Sequence, residues 1–337
     1  GSNFKAFLYA AALENGIHPA TLINAAPVVV GNLTNEDMWR PENASGRFYG
    51  PTRVREALTF SRNLVSIRVL QQLGVSKLIE MAGRVGFDVS DMQPNLTLAL
   101  GTHAYTPLEI ASGYTVIANG GFKVKPWLID RIEDVDGNII YQADAAVACA
   151  RCQSEPRDDD FREASRIEDL LDDADPDVRE APRIIDERVT CVLTSMLEDV
   201  TPRGTGRRAK VLERNDLAGK TGTTNGPRDA WFSGYNKDLV TTTWVGFDDY
   251  SLMGKREFGG TAALPIWIDF MRTALPPQSA EAEMPAGVVR LRIDKESGQR
   301  SDGQSTSIWE VFLEEFTPSN QRGRTNSADT EDLDGLF

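Results

Sequence analysis

The chain has 337 residues, 41% of them apolar, with 50 Asp or Glu against 36 Lys or Arg and a net charge of −14. That apolar share is enough for a large core, and the acidic balance argues against nucleic acid, whose phosphates it would repel. No run of 18 apolar residues occurs and no basic stretch leads into an apolar one, while the abrupt opening Gly1-Ser2-Asn3-Phe4-Lys5 leads us to expect further chain upstream.

In chain order, Phe4 to Asn15 is apolar all round and stops at Gly16, which predicts a buried helix. Thr52 to Leu73 reads as one helix with Leu58, Leu64, Ile67, Val69 and Leu70 as core positions and Gly74 as its stop. A further helix is predicted from Thr106-Pro107 to Asn119-Gly120-Gly121, and a hairpin from Leu128 to Tyr141 that turns at Asp136-Gly137. Cys149 and Cys152 form a lone C-x-x-C in a chain with only His18 and His103. The pair reads first as inert thiols, next as a local disulfide and last as part of a zinc site.

Residues 155–180 hold twelve Asp or Glu against four Arg, the composition of a solvated loop or flexible insert; a regulatory or partner-binding role is the less favoured alternative. Helical pattern returns at IIDERVTCVLTSMLEDV, followed by GTGRRA and by three strand-like runs, LAGKTGT, DAWFSGYN and LVTTTWVGF. The expected organisation is one domain over 1–275 with the acidic insert at about 155–180. A C-terminal extension over 276–337 follows, its tail from Thr317 to Asp334 polar and mobile.

Gly219-Lys220-Thr221 resembles the end of a phosphate-binding loop, but Arg214 stands where that loop needs its first glycine, and strands rather than a helix follow. As a strand, this run puts Lys220 and Gly222 on one face and Thr221 and Thr223 on the other. Gly222 then marks a place where another backbone comes close, such as an extended peptide substrate.

Three short motifs fall in order: Ser2-x-x-Lys5, Ser61-x-Asn63 and Lys220-Thr221-Gly222. Three residues apart on a helix, Ser2 and Lys5 share a face, and a neutral lysine can take a proton from a serine hydroxyl. Burial and a nearby positive Lys220 both favour the neutral form of Lys5. With their surroundings, GSNFKAFLYAAALENG, YGPTRVREALTFSRNLVSIRVLQQLG, LTLALGTHAYTPLEIASGYTVIANGG, GTGRRA and LAGKTGTTNGPRDAWFSGYN, these motifs resemble the transpeptidase domain of class A, 1a-type penicillin-binding proteins. The resemblance covers residue 1 to about 275, apart from the acidic insert. Ala6 stands where that family usually has Pro, and Gly1-Ser2 is also a common cloning scar; the fit of Phe4-Lys5 favours Ser2 as native.

The resemblance implies an α/β (α+β) fold shared with serine β-lactamases, a central antiparallel sheet flanked by helices, here without its N-terminal strands. It implies that Ser2 is the nucleophile, Lys5 its base and Ser61 a proton relay to the leaving amine, with Asn63 holding the substrate amide and positioning Lys5. Lys220, with the Thr221 and Thr223 hydroxyls, would draw in the substrate's terminal carboxylate beside Gly222, and the Ser2 and Thr223 N–H groups would hold the oxyanion. The implied partners are peptidoglycan stem peptides, a D-Ala-D-Ala donor and an amine acceptor, with β-lactams as inhibitors and regulatory proteins beyond them. A D,D-carboxypeptidase side activity would follow from water replacing the amine. No cofactor and no metal are implied. The implied location is the periplasmic face of the bacterial inner membrane, with the anchor and a glycosyltransferase domain upstream. The alternatives are a serine β-lactamase, for which no glutamate motif stands out between Ser61 and Lys220, and a non-catalytic penicillin-binding scaffold or sensor. His18 and His103 read as structural, and Trp231, Phe232 and Tyr235 as core or cleft wall. Arg53, Arg55 and Arg62 read either as carboxylate binders or as solvated helix charges.

Overall fold

The computed structural model describes residues 1–31, 38–148, 179–278, 283–301, 303 and 306–319. The acidic insert up to residue 178, Cys149, Cys152 and the tail from residue 320 lie outside them.

Helix α1 (Lys5–Glu14) is apolar on every side because it is buried on every side, from Ala6 through Leu13. A single 3-10 turn, Ser2–Phe4, leads into it. α1 packs against α3 (Asn63–Leu73), α4 (Val75–Val85) and α6 (Glu187–Glu198), which together form the larger core. α5 (Pro107–Ala118) joins this layer, begun by Thr106 and Glu109 in a reciprocal capping box with Pro107 in the first turn. Its end at Gly121 depends on φ +95°; a Cβ there would lie 1.8 Å from the Ile185 carbonyl, so only glycine allows that contact.

The central sheet is antiparallel, in the order β5 (Ala218–Thr223), β6 (Asp229–Tyr235), β7 (Val240–Gly246). Lys220 pairs with Ser233 and Gly222 with Trp231 across β5 and β6. Alternation along β6 sends Tyr235 into the α1 core and Ala230 and Phe232 into a second core with Leu264, Trp267 and Met271 of α7 (Leu264–Ala274). Helices thus cover both faces of the sheet. Three smaller pairs complete the described strands: β1 (Leu22–Asn24) with β2 (Pro51–Arg53), β3 (Arg131–Glu133) with β4 (Ile139–Gln142), and β8 (Val288–Asp294) with β9 (Ser307–Leu313). The β3–β4 hairpin turns where Asp136-Gly137 predicts it, with Gly137 at φ +83°.

The predicted helix over 52–73 is two helices. After β2, α2 (Val54–Thr59) ends and α3 begins at Asn63. Ser61 sits in the left-handed region at φ +54°, and Ser61 N and Arg62 N close the end of α2 on the Leu58 and Ala57 carbonyls. Leu58, Leu64, Ile67, Val69 and Leu70 are all buried as expected. Gly74 does stop α3, but α4 starts at the next residue; its helical spacing of Leu78, Met81, Ala82 and Val85, all buried, was a signal the sequence reading did not take up.

Candidate active site

The break between α2 and α3 points the Ser61 side chain at two lysines. Lys220 Nζ, on β5, donates to Ser61 Oγ at 2.9 Å and to the Thr221 carbonyl at 2.8 Å. Lys5 Nζ, on the first turn of α1, donates to Asn63 Oδ1 at 2.8 Å and to the Ser61 carbonyl at 3.0 Å, with Ser61 Oγ at 3.4 Å. One hydroxyl therefore bridges two buried lysines, which are 1% and 0% exposed. Asn63 is fixed in turn by a loop that sequence reasoning missed: Asn63 N donates to Asn43 Oδ1 at 2.9 Å and Asn63 Nδ2 to the Glu42 carbonyl at 2.8 Å.

Burial without a carboxylate partner disfavours both ammonium groups. It holds Lys5 well below the usual lysine range, helped by the charge of Lys220, and it lowers Lys220 to about 7. Both shifts run in the direction base chemistry needs, toward a lysine that gives up its proton readily.

Ser2 lies on the 3-10 turn beside β5 and borders the cleft together with Ser61, Asn63, Thr221 and Thr223, in a cavity of about 900 Å³. Among the described residues no hydrogen bond joins Ser2 to Lys5; the residues that are knit together are Lys5, Ser61, Asn63 and Lys220. The turn itself is held from two sides. Asn3 Nδ2 donates to Ser233 Oγ on β6 at 2.8 Å, and Tyr114 Oη on α5 donates to the Asn3 carbonyl at 2.7 Å. Gly222 makes this approach feasible, since a Cβ there would lie 2.9 Å from Asn3 Cβ. The chain segment that crowds Gly222 is the Ser2–Phe4 turn.

Thr221 Oγ1 meets Thr205 Oγ1 at 2.7 Å, and Thr223 Oγ1 accepts from Gly259 N at 3.0 Å, so the G-T-G run before Arg207 belongs to the site's support. On the other side of Ser2 a second cavity of about 650 Å³ is walled by Trp231, Trp244, Tyr105 and His103. Phe232 and Tyr235 are core residues. His18 packs edge-on against Phe312, away from Ser2. Arg53 and Arg55 are not solvated: both are buried and pair with Glu310 of β9. Arg62 stacks over the Tyr49 ring, its guanidinium carbon 3.3 Å from the centroid.

The description "Penicillin binding protein transpeptidase domain" matches residues 1–266 of this chain. Penicillin-binding protein 1A of Pseudomonas aeruginosa is 46% identical over 94% of this chain and 41% of its own length. The Neisseria gonorrhoeae protein of the same name is 40% identical over 86% of this chain and 33% of its own. The chain therefore spans less than half the length of these relatives. The crystal structure of Penicillin-Binding Protein 1A from Haemophilus influenzae superposes with a TM-score of 0.84 at 32% identity, over 95% of this chain and 48% of that one. PonA1 from Mycobacterium tuberculosis, solved in complex with penicillin V, shares the fold with a TM-score of 0.63 at 23% identity, over 84% of this chain and 70% of that one. With the fold, the ordered motifs and the bridged lysines in agreement, the chain belongs to the penicillin-binding protein transpeptidase family.

Proposed function

We propose that this chain is a serine D,D-transpeptidase that cross-links peptidoglycan stem peptides through an acyl-serine on Ser2. The observation that carries the reading is the Ser61 hydroxyl held between two desolvated lysines at the mouth of a cleft bordered by Ser2. Lys220, with Thr221 and Thr223, binds the terminal carboxylate of a D-Ala-D-Ala donor. Neutral Lys5 takes the Ser2 proton as Ser2 Oγ attacks the penultimate D-Ala carbonyl, and the oxyanion rests between the Ser2 and Thr223 N–H groups. Such a donor typically contributes about 3–4 kcal/mol to lowering the barrier. Ser61 passes the proton from Lys5 to the leaving nitrogen, so D-Ala departs as an amine. An acceptor amine then attacks the ester, its proton returns by the same route, and Ser2 is restored. Asn63 fixes Lys5 throughout, and water in place of the amine gives carboxypeptidase activity.

A β-lactam acylates the same serine. The expected setting is the periplasmic face of the inner membrane, with a membrane anchor and a glycosyltransferase domain on the part of the protein outside this chain, and with regulatory proteins as further partners. No helix among the described residues is long and apolar enough to cross a membrane. The organisation proposed for residues 1–275 is a single transpeptidase domain.

The test is intact mass after one equivalent of a β-lactam, followed by peptide mapping and a transfer assay with a D-Ala-D-Ala peptide and an amine. One stable adduct on Ser2, absent in Ser2→Ala, with D-Ala release and amine capture, is expected. Rapid β-lactam turnover instead identifies a β-lactamase, and acylation without transfer a sensor.

A further inference from the structure

The cleft carries the opposite charge from the chain around it. Against a net charge of −14, the larger cavity is lined by Arg40, Arg62, Arg207 and Arg208 and by a single acidic residue, Glu42. Lys220 already answers the one carboxylate that the reaction requires at a peptide terminus. Four further guanidinium groups are more positive charge than a single terminal carboxylate accounts for.

Arg207 and Arg208 stand out among them. Arg62 is occupied by the Tyr49 ring. The Arg207 and Arg208 side chains are exposed, and among the described residues neither guanidinium group has a hydrogen-bond or ion-pair partner. Their backbone, by contrast, is firmly held. Thr205, two residues before, bonds Thr221 of β5, and Ala209, immediately after, is buried in the α7 core. Gly206 is packed against Phe232 and Val200, where a Cβ would lie 3.1 Å and 3.2 Å from their atoms. Two free guanidinium groups are thus presented from a rigid turn next to the strand along which a peptide would lie. Arginine is suited to planar, two-pronged recognition of a carboxylate.

We propose that Arg207 and Arg208 bind a second carboxylate of the stem peptide, distinct from the terminal one held at Lys220, and so select donors or acceptors that carry it. This rests on the transpeptidase reading of the same cleft. A strand rises about 3.3 Å per residue, so a donor lying in the cavity that Arg207 and Arg208 line can bring an internal carboxylate to them while its terminus is held at Lys220. An acceptor peptide entering from the open side offers the same chemistry from a different molecule.

The test uses the full-length protein, in wild-type form, as the double variant Arg207→Gln/Arg208→Gln, and as the double lysine variant. In the donor arm, D-Ala release is measured with matched D-Ala-D-Ala peptides, one with a free internal carboxylate and the other with that group amidated. In the acceptor arm, a preformed acyl-enzyme is offered matched amines with and without the carboxylate. Wild type is expected to prefer the carboxylate in one arm by about tenfold, the scale of a hydrogen bond to a charged group. The glutamine variant loses that preference while the amidated peptide and a β-lactam acylate at unchanged rates; the lysine variant keeps part of it. Raising salt from about 0.05 to about 0.5 M shrinks the wild-type preference without any substitution. The arm that discriminates identifies whether donor or acceptor supplies the group. Equal rates for both peptides in both arms overturn the proposal, as does a preference that survives in the glutamine variant. Failure of the wild type to form any acyl-serine overturns the transpeptidase reading instead.

Discussion

Ser61 occupies a backbone conformation that costs a residue with a Cβ about 1–2 kcal/mol and costs glycine little. It is retained as serine at φ +54°, with its carbonyl bound to Lys5 and its hydroxyl to Lys220. Ser61→Gly and Ser61→Ala are therefore expected to lose acylation alike, by about 10²–10⁴-fold, while the glycine variant unfolds at a higher temperature than the alanine variant by about 1 kcal/mol of stability. A glycine variant no more stable than the alanine one would contradict the strain. In the proposed mechanism Lys220 sets the alkaline limit of the reaction. With its value lowered to about 7 by burial, the carboxylate-binding charge is present below that pH and lost above it, so kcat/KM falls as pH rises past about 7. Lys220→Arg is expected to move that falling limb far to the alkaline side. The stability term has the opposite slope. From about 7 up to the ordinary lysine value of 10.5, the unfolded chain binds a proton that the folded chain has given up, so this group's penalty is relieved as pH rises.

At the level of elements, α2 carries Ser61 at its C-terminal end and is tied at its start to the C-terminal hairpin. Arg55 Nε donates to Glu310 Oε1 at 2.8 Å and Arg53 Nη1 to Glu310 Oε2 at 3.4 Å, while Arg55 also reaches the Ser195 carbonyl on α6 and Asp199 just after it. Glu310 is 1% exposed and shared by both guanidinium groups, so removing its charge leaves Arg53 only Glu56 and Arg55 only Asp199 as acidic partners. Glu310→Gln is expected to cost about 1–3 kcal/mol in thermal unfolding and to slow Ser2 acylation well below the transition, because α2 loses its clamp. A stable variant with unchanged acylation would remove the hairpin from the site's support. None of this was legible in the sequence. Arg53 and Arg55 read either as carboxylate binders or as solvated charges, and the carboxylate could not be named because it lies more than 250 positions away, whereas Ser2-x-x-Lys5, Ser61-x-Asn63 and Lys220-Thr221-Gly222 carry their geometry within three or four residues. Asn43, which holds Asn63, sits in a loop without periodicity. The end of α2 was missed for a related reason. Apolar spacing continues through Phe60, and no Gly or Pro announces the turn that Ser61 makes.

Across the whole molecule, the burial of α1 was legible because it is apolar on every side, while the sheet flanked by helices was expected from the family resemblance. What the sheet does at its margin was not. β7 pairs with β6 and with no other described strand, and its residues are only half-buried. If the upstream strands expected from the sequence complete this edge, the outward amides of Val240–Gly246 should exchange about a hundredfold more slowly in the longer protein than in residues 1–337. Equal exchange would place those strands elsewhere. The Arg55–Glu310 contact bears on how the chain is made. Its partners are separated by 255 positions, and a ribosome adding about 5–20 residues per second needs roughly 13–50 s between them. Throughout that interval Arg55 of α2 has Asp199 as its acidic partner but lacks the fully buried Glu310. The Ser61 turn therefore reaches its final form late in synthesis, and a nascent chain truncated before residue 310 is expected to resist acylation although every motif of the site has already been translated.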